Sequence, residues 1–458
     1  MVSGIRASIL ATIAASVPLL GAGQVRAQQS SVAGYADAAN RIMAAALKDS
    51  AAYERLSQLT DRFGNRLSGS QSLERAIDWI IGEMKKDGLQ NLRGEPVMVP
   101  HWVRGEESAE LVSPRAVRLP MLGLGGSIAT PADGITAEVL VVTSYDDLTA
   151  KAARAKGRIV LFDVPFTNYG ETVQYRSGGA VAAAKAGAVA SLIRSVTPYS
   201  QKTPHTGGMR YEDGVAKIPH AAITLEDAMM LHRMQDRGER IVVRLRMSAQ
   251  TLPDAPSRNV MGEVTGREWP NEVVVIGGHI DSWDVGQGAM DDGGGVVAAW
   301  EAVRIIHDLG LRPRRTIRVV GWTNEENGGR GGEAYRDAHT SETHVYAMES
   351  DNGVFRPNGF GFTGSDAAYA IAQQIGRLLE PVGAGLVTKG GGGSDIGPLM
   401  QTGVPGGSPN VDGSRYFWYH HTDSDTIDKL DARDVALCTA VMAVVAYVIA
   451  DLPDPLPR

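Results

Sequence analysis

The chain has 458 residues, a formal net charge of −7 and a single cysteine. A hydrophobic content of 43% with 21% charged residues is typical of a globular protein and excludes a largely disordered one. The length exceeds that of one typical domain, so we expect two or more hydrophobic cores. The mild negative charge is spread along the chain and offers no basic surface for nucleic acid.

The first residues have the features of an export signal. Arg6 supplies a positive charge, residues 7–22 are mostly apolar, and Val25-Arg26-Ala27 resembles a cleavage site. We predict a signal peptide over residues 1–27, followed by a secreted or periplasmic protein. The alternative is a disordered cytosolic N-terminus. The apolar run is shorter than the about 20 residues of a membrane span, so we expect no membrane anchor after cleavage.

Residues 28–111 are predicted to form an N-terminal, mainly helical part of the main domain. YADAANRIMAAAL and LERAIDWIIGEMKKDGL place apolar residues at helical spacing. Gly88 is expected to terminate the second of these helices. Residues 112–252 differ, because short apolar runs such as GRIVLFDV alternate with glycine-rich turns and one alanine-rich helix. We predict a compact α/β or β-rich insert there, without a cluster of metal ligands.

Residues 253–458 alternate predicted strands with predicted helices. EVVVIGGH, RTIRVVGWTNEE and THVYAMESD are predicted strands, whereas GGGVVAAWEAVRIIHDLG and DAAYAIAQQIGRLLE are predicted helices. A last apolar helix contains Cys438, for which a buried core position is favoured. This alternation predicts an α/β fold with a mainly parallel sheet between two layers of helices.

Metal-ligand side chains follow three of these predicted strands. His279 ends the first, Glu325 and Glu326 follow the second, and Asp351 follows the third. Active sites of open α/β sheets lie at the carboxyl ends of the strands. Imidazole nitrogen and carboxylate oxygen are ligands that zinc prefers. Asp291, just before a glycine-rich helix start, is the candidate for a carboxylate that bridges two ions.

Two further roles follow from position along the chain. Asp281 lies two residues after His279, on the same face of an extended backbone, so it is expected to accept a hydrogen bond from the second imidazole nitrogen. Glu325 and Glu326 need different roles, one as a ligand and the other as a free general base. The alternatives are a solvated turn aspartate for Asp281 and two surface carboxylates for the glutamate pair.

Two sequence motifs carry a resemblance to a known family. HIDSWDVGQGAMDDGGG and YFWYHHTDSDT resemble motifs of the co-catalytic zinc aminopeptidases and carboxypeptidases, nearest to the plasma glutamate carboxypeptidase subgroup. The resemblance implies a phosphorylase/hydrolase-like zinc peptidase core over residues 253–458, with two Zn²⁺ ions per chain. It also implies that residues 112–252 form a protease-associated-like domain. Short peptides are the implied substrates, and a homodimer is possible because the subgroup is often dimeric.

The resemblance implies five metal ligands, with one of them bridging the ions: His279, Asp291, Glu326, Asp351 and His421. Asp291 would share one ion with His279 and Asp351 and the other with Glu326 and His421. Glu325 would be the general base. The family also tends to have a cis peptide after the bridging aspartate, here Asp291–Asp292.

The last ligand needs a choice between two adjacent histidines. His421 is favoured over His420 because the family places an Asp-Thr pair four residues after this ligand, here Asp425-Thr426. Simpler relatives have a tyrosine just before the ligand, where this chain has His420. Three residues therefore stay as candidates for contacting substrate and steadying the oxyanion: Tyr416, Tyr419 and His420.

The predicted reaction is hydrolysis of dipeptides or short peptides that have a free N-terminus. A metal-bridging hydroxide would attack the peptide carbonyl, and Glu325 would move the proton. A carboxypeptidase is one alternative, because it uses the same metals and holds the other end of the substrate. A cyclase of this fold would work with one zinc ion, and a non-catalytic binding ectodomain would be expected to have lost ligands.

Overall fold

The computed structural model describes Met1, residues 32–48 and residues 50–458. Apart from Met1, the predicted signal peptide lies outside the described residues. Within them, sixteen strands form two eight-stranded sheets. In chain order the strands are β1 (Gln90–Val103), β2 (Glu107–Ser113), β3 (Val117–Leu119), β4 (Met121–Gly123), β5 (Ile135–Val142), β6 (Ile159–Phe162), β7 (Ala190–Arg194), β8 (His220–Ile223), β9 (Val242–Met247), β10 (Gln250–Val264), β11 (Trp269–His279), β12 (Arg315–Trp322), β13 (Thr343–Glu349), β14 (Pro357–Thr363), β15 (Leu386–Lys389) and β16 (Gly406–Val411).

Helices of very different lengths connect these strands. In chain order the α-helices of the described residues are α1 (Ala36–Ala46), α2 (Ala51–Phe63), α3 (Gln71–Lys86), α4 (Tyr145–Ala150), α5 (Ala152–Ala155), α6 (Tyr169–Lys185), α7 (Leu225–Asp236), α8 (Gly294–Asp308), α9 (Arg330–Ala338), α10 (Asp366–Leu378), α11 (Gly397–Met400), α12 (Tyr416–Tyr419) and α13 (Ala432–Asp451). Gly88 terminates α3 as predicted. Its positive φ of 77° lets the Leu89 N–H reach the Met84 carbonyl at 3.2 Å.

The first sheet has the strand order β1-β10-β12-β11-β13-β16-β14-β15. Its centre is parallel, because β11 pairs in parallel with β12 and β13, and β13 pairs in parallel with β16. The pairs β1–β10, β10–β12 and β14–β16 are antiparallel. The α/β fold is confirmed, and the sheet is more mixed than predicted. The chain leaves this sheet through β1 and returns through β10, so these two strands run in opposite directions.

Helices α1, α2, α3, α8 and α13 contribute to the large core beside this sheet. α13 is the described helix that is long and apolar enough to cross a membrane by composition. In the fold 89% of its most apolar window is buried, and it packs against α8, α1 and the sheet. Such burial is typical of a core helix. Cys438 lies buried within it, as predicted.

The second sheet has the order β3-β2-β9-β5-β6-β7-β8-β4, with a parallel centre from β5 to β8. Helix α7 packs into one core of this sheet, and α4 and α6 pack into another. Its strands run from Glu107 to Met247, and we call this part of the chain the insert. The insert was predicted to cover residues 112–252. Its first strand, β2, begins at Glu107, and the next strand of the first sheet, β10, begins at Gln250.

Candidate active site

Three neighbouring parallel strands bring ligand-type residues to one edge of the first sheet. His279 ends β11 and is in register with Trp322 at the end of β12. Gly277 of β11 is in register with Glu349, the last residue of β13. Glu325 and Glu326 follow β12, and Asp351 follows β13, so the parallel pairing places all these groups at the carboxyl edge of the sheet.

Asp291 reaches this edge from a tight turn, Ala289–Gly293, just before α8. The Asp291–Asp292 peptide is cis, as the resemblance led us to expect. The buried carboxylate of Asp425 holds the turn, because it accepts hydrogen bonds from the backbone N–H groups of Ala289, Met290 and Asp291 at 3.1, 2.7 and 3.2 Å. Burial and the nearby Asp291 carboxylate raise the pKa of Asp425 to about 7.

The two oxygens of Asp291 face two different histidines. His279 Nε2 lies 3.2 Å from Asp291 Oδ1 and 3.2 Å from Asp351 Oδ1. His421 Nε2 lies 3.3 Å from Asp291 Oδ2 and 3.0 Å from Glu326 Oε2. The five residues predicted as ligands therefore form two adjoining groups of donor atoms, with the Asp291 carboxylate common to both.

The tautomers of both histidines suit metal binding. His279 Nδ1 lies 2.9 Å from the main-chain oxygen of Asp281, and His421 Nδ1 lies 3.3 Å from that of Thr206. A carbonyl oxygen can only accept, so each Nδ1 carries a proton, and in the neutral ring Nε2 offers the lone pair that a metal ion needs. Each Nε2 faces carboxylate oxygens, and among the described residues Asp291 Oδ2 is buried without a hydrogen-bond partner. Donor atoms arranged in this way fit cations placed between them.

The electrostatics of the site also favour cations. Burial and the charge of Asp291 raise the pKa of Glu326 to about 8. Burial alone would lower the pKa of His421, but the carboxylates of Glu326 and Asp291 outweigh it and raise this pKa to about 10. Negative charge is therefore in excess, and a proton or a metal ion must offset it.

The structure gives Asp281 a different role from the predicted one. Its carboxylate lies 3.9 Å from His279 Nδ1, which instead donates to the Asp281 main-chain carbonyl. The chain turns after β11, so the two side chains do not share an extended face. The carboxylate accepts hydrogen bonds from the backbone N–H groups of Glu325 and Glu326 at 3.1 and 3.3 Å, and from the Ser68 hydroxyl at 3.3 Å. Asp281 thus positions the glutamate pair.

Glu325 and Glu326 make different contacts. The Glu326 carboxylate contacts His421, and its Oε1 accepts from the Trp283 N–H at 3.2 Å. Glu325 is half-buried, and within the described part of the chain its carboxylate makes no hydrogen bond or ion pair. A fixed backbone with an uncommitted carboxylate is the arrangement that a general base needs.

The three substrate candidates lie in unequal positions. The His420 ring stacks on His421 with 3.5 Å between centroids, and its Nε2 lies 3.7 Å from Asp291 Oδ2. Tyr416 is buried beside it, with 5.1 Å between the ring centroids. Tyr416 is also part of the large core, and Tyr419 packs against that core from a partly buried position. His420 is also farther from Asp291 than His421 is, which favours His421 as the ligand.

Arg66 is a site residue that the sequence did not reveal. It is fully buried and donates to the carbonyls of Ile280, Gln287 and Gly288 at 2.7–2.9 Å, and to that of Gly64 at 2.8 Å. Burial lowers the pKa of Arg66 to about 10, so it stays cationic near neutral pH. It braces the loop between His279 and the Asp291 turn. No local pattern marks it, because its partners on that loop lie more than 200 residues away.

Comparison with known proteins identifies the family. The pattern described as "Peptidase family M28" matches residues 259–446. Carboxypeptidase Q of Bos taurus is 51% identical over 432 residues, which cover 93% of this chain and 92% of that protein. The chain belongs to peptidase family M28. It is a metallo-exopeptidase, as the motifs predicted.

Two further relatives of this M28 peptidase are similar over most of the chain. Carboxypeptidase Q of Homo sapiens is 52% identical over 89% of this chain and 86% of that protein. The crystal structure of a peptidase M28 precursor from Shewanella amazonensis superposes with a TM-score of 0.90 at 37% identity, covering 93% of this chain and 99% of that one. The likeness therefore includes the insert as well as the first sheet.

Proposed function

We propose that the chain is an exported exopeptidase with two zinc ions, which hydrolyses dipeptides or short peptides that have a free N-terminus. The observation that carries the proposal is the Asp291 carboxylate, whose two oxygens face His279 and His421. A carboxylate shared in this way suits two neighbouring ions. Imidazole and carboxylate donors suit zinc.

The ions, when bound, would polarise the peptide carbonyl and lower the pKa of a water molecule. The residues of the chain supply the rest. Asp351 and Glu326 complete the two groups of ligands. Glu325 accepts the proton of the attacking water on its free carboxylate and passes it to the nitrogen of the leaving amine. Asp281 keeps Glu325 in place through the Glu325 backbone N–H.

The charge of the site favours a substrate with a free α-ammonium group. Three buried carboxylates beyond the five ligands lie nearby. Asp292 Oδ2 accepts from the His279 N–H at 3.1 Å, and Glu349, the last residue of β13, accepts from the Asp395 N–H at 3.0 Å. Both Asp395 oxygens lack a hydrogen-bond partner within the described residues. Burial and neighbouring carboxylates raise the pKa of Asp292, Glu349 and Asp395, so a cation such as an ammonium group would favour their ionised forms. The competing candidate is a carboxypeptidase. The name carboxypeptidase Q, given to relatives that are about half identical to this chain, favours it.

A dipeptide panel on zinc-loaded protein separates these candidates. We expect hydrolysis of the free dipeptide and of its C-terminal amide, and a loss of at least 100-fold in kcat/KM with the N-acetylated dipeptide. The opposite ranking, with the N-acetylated peptide cleaved and the amide spared, would establish the carboxypeptidase instead. No hydrolysis of any member would contradict both.

Export and assembly are separate parts of the proposal. Cleavage after Ala27 would give a secreted or periplasmic protein that begins at Gln28, which N-terminal sequencing of the mature protein tests. A homodimer would show twice the mass of the chain in light scattering. After the membranes are pelleted by centrifugation, the mature protein should remain in the supernatant.

A further inference from the structure

The insert contacts the loop of the last ligand histidine at several points. The Thr206 N–H donates to the His421 carbonyl at 3.0 Å, and His205 Nδ1 donates to the His420 carbonyl at 2.8 Å. The Thr197 hydroxyl donates to the Phe417 carbonyl at 2.5 Å. All three hydrogen bonds run from the insert to the segment that ends in His421.

His421 needs such support because its backbone is held in an unusual conformation. Its φ is +62°, in the left-handed region that non-glycine residues rarely adopt. Residues of this kind persist where their surroundings hold them. Here the main chain of Thr206 bonds both the His421 carbonyl and the His421 Nδ1–H, at 3.0 and 3.3 Å.

Arg176 of α6 lies behind the same imidazole. Its Nη1 is 3.4 Å from His421 Nδ1 and donates to the Thr206 carbonyl at 3.5 Å, so the two side chains share one acceptor. Its Nη2 donates to the Tyr169 hydroxyl at 2.7 Å, which fixes the guanidinium. A Cβ on Gly207 would lie 2.4 Å from this guanidinium, so a glycine is needed beside it.

Thr206 is in turn anchored at the junction between the two sheets. Its hydroxyl donates to the Gly123 carbonyl at 2.8 Å and accepts from Arg104 Nη2 at 3.2 Å. The same Arg104 binds Asp284, in the loop after His279, with contacts of 2.9 and 2.5 Å. A chain of contacts therefore joins both ligand loops through the insert.

We propose that the insert completes the second metal site, with Arg176 and the Thr206 carbonyl as the groups that position His421. This inference rests on the proposed two-ion site. The Thr206 carbonyl fixes the tautomer and the ring plane, so the Nε2 lone pair faces Glu326 and Asp291. Arg176 fixes that carbonyl through the hydrogen bond that its Nη1 donates. Loss of such supporting groups typically costs about 10- to 100-fold in metal affinity.

Zinc titration of metal-free protein against a competing chelator tests the proposal without measuring activity. We expect two binding steps in the wild type, and the His421→Ala variant shows which step belongs to His421. Arg176→Met should weaken that step by about 10- to 100-fold and leave the His279 step within about twofold. Arg154→Met is the matched control, because Arg154 is an exposed arginine of the same insert.

Thr206→Val is the second variant, in case Arg176→Met does not fold. It removes the anchoring hydroxyl but keeps the ligand and the guanidinium, and it should weaken the same step. Two unchanged steps in both variants would overturn the proposal, as would equal weakening of both steps. Unchanged zinc affinity with a raised KM would assign Arg176 to substrate instead. A wild-type protein with one zinc ion would contradict the two-ion site itself.

Discussion

Arg66→Met is the substitution whose effect follows most directly from the structure. The guanidinium is fully buried and donates to four main-chain carbonyls, three of them in residues 280–288. Methionine fills similar space but leaves four acceptors without this donor. At about 1 kcal/mol per lost bond, the sum is about 4 kcal/mol, within the range for disrupting a buried network. Relief of the buried charge would recover part of that sum.

We therefore expect the free energy of unfolding of Arg66→Met in urea to fall by about 2–4 kcal/mol. Zinc affinity should fall too, because the braced loop connects His279 to the turn of Asp291. Arg66→Lys should lie between the two proteins, since an ammonium offers three donors for four carbonyls. Arg62→Met, at an exposed position on α2, is the control. Stability within 1 kcal/mol of the wild type together with normal zinc uptake would refute this reasoning.

Two further predictions concern His339, away from the site, and His420, within it. Burial would lower the pKa of His339, but hydrogen bonds to Glu342 and Glu95 raise it. The ion pairs of His339 therefore stabilise the fold fully below about pH 6.5, and this stabilisation is lost as the pH rises through the raised pKa. His339→Gln should accordingly lower Tm more at pH 5.5 than at pH 9, and an equal loss at both would contradict the ion-pair account. At the site, His420→Phe should lower kcat at least tenfold, whereas Tyr419→Phe should stay within twofold in the same steady-state assay. The reason is that His420 Nε2 lies 3.7 Å from Asp291 Oδ2, while Tyr419 packs against the core.

Four of the five proposed ligands could be predicted from position, because each ends or follows a strand or lies in a glycine-rich turn. His421 follows the short helix α12 and was predicted from the family resemblance. His279 ends β11, and Glu326 and Asp351 follow β12 and β13, which both pair in parallel with β11. Local patterns were therefore enough to bring these three residues together. The buried helices and the α/β class follow from apolar periodicity in the same way. The position of Cys438 is explained by the apolar helix around it.

The supporting groups could not be predicted, because they depend on contacts between distant parts of the chain. Arg66 and Arg176 are isolated arginines in sequence, and each acquires its role from carbonyls brought close only by the fold. The role expected for Asp281 was wrong because the backbone turns immediately after β11. The antiparallel pairing of β1 with β10 was missed because the long insert separates these two strands in the sequence.

The central claim is that Glu325 moves the proton at a site whose metals are held by other residues. Its most direct test is kcat/KM of zinc-loaded Glu325→Gln on a free dipeptide, with the zinc content measured on the same sample. We predict two zinc ions per chain and a loss of about 10²- to 10⁴-fold in kcat/KM. Glu333→Gln, an exposed glutamate on α9, should match the wild type. Near-normal turnover by Glu325→Gln would contradict the account.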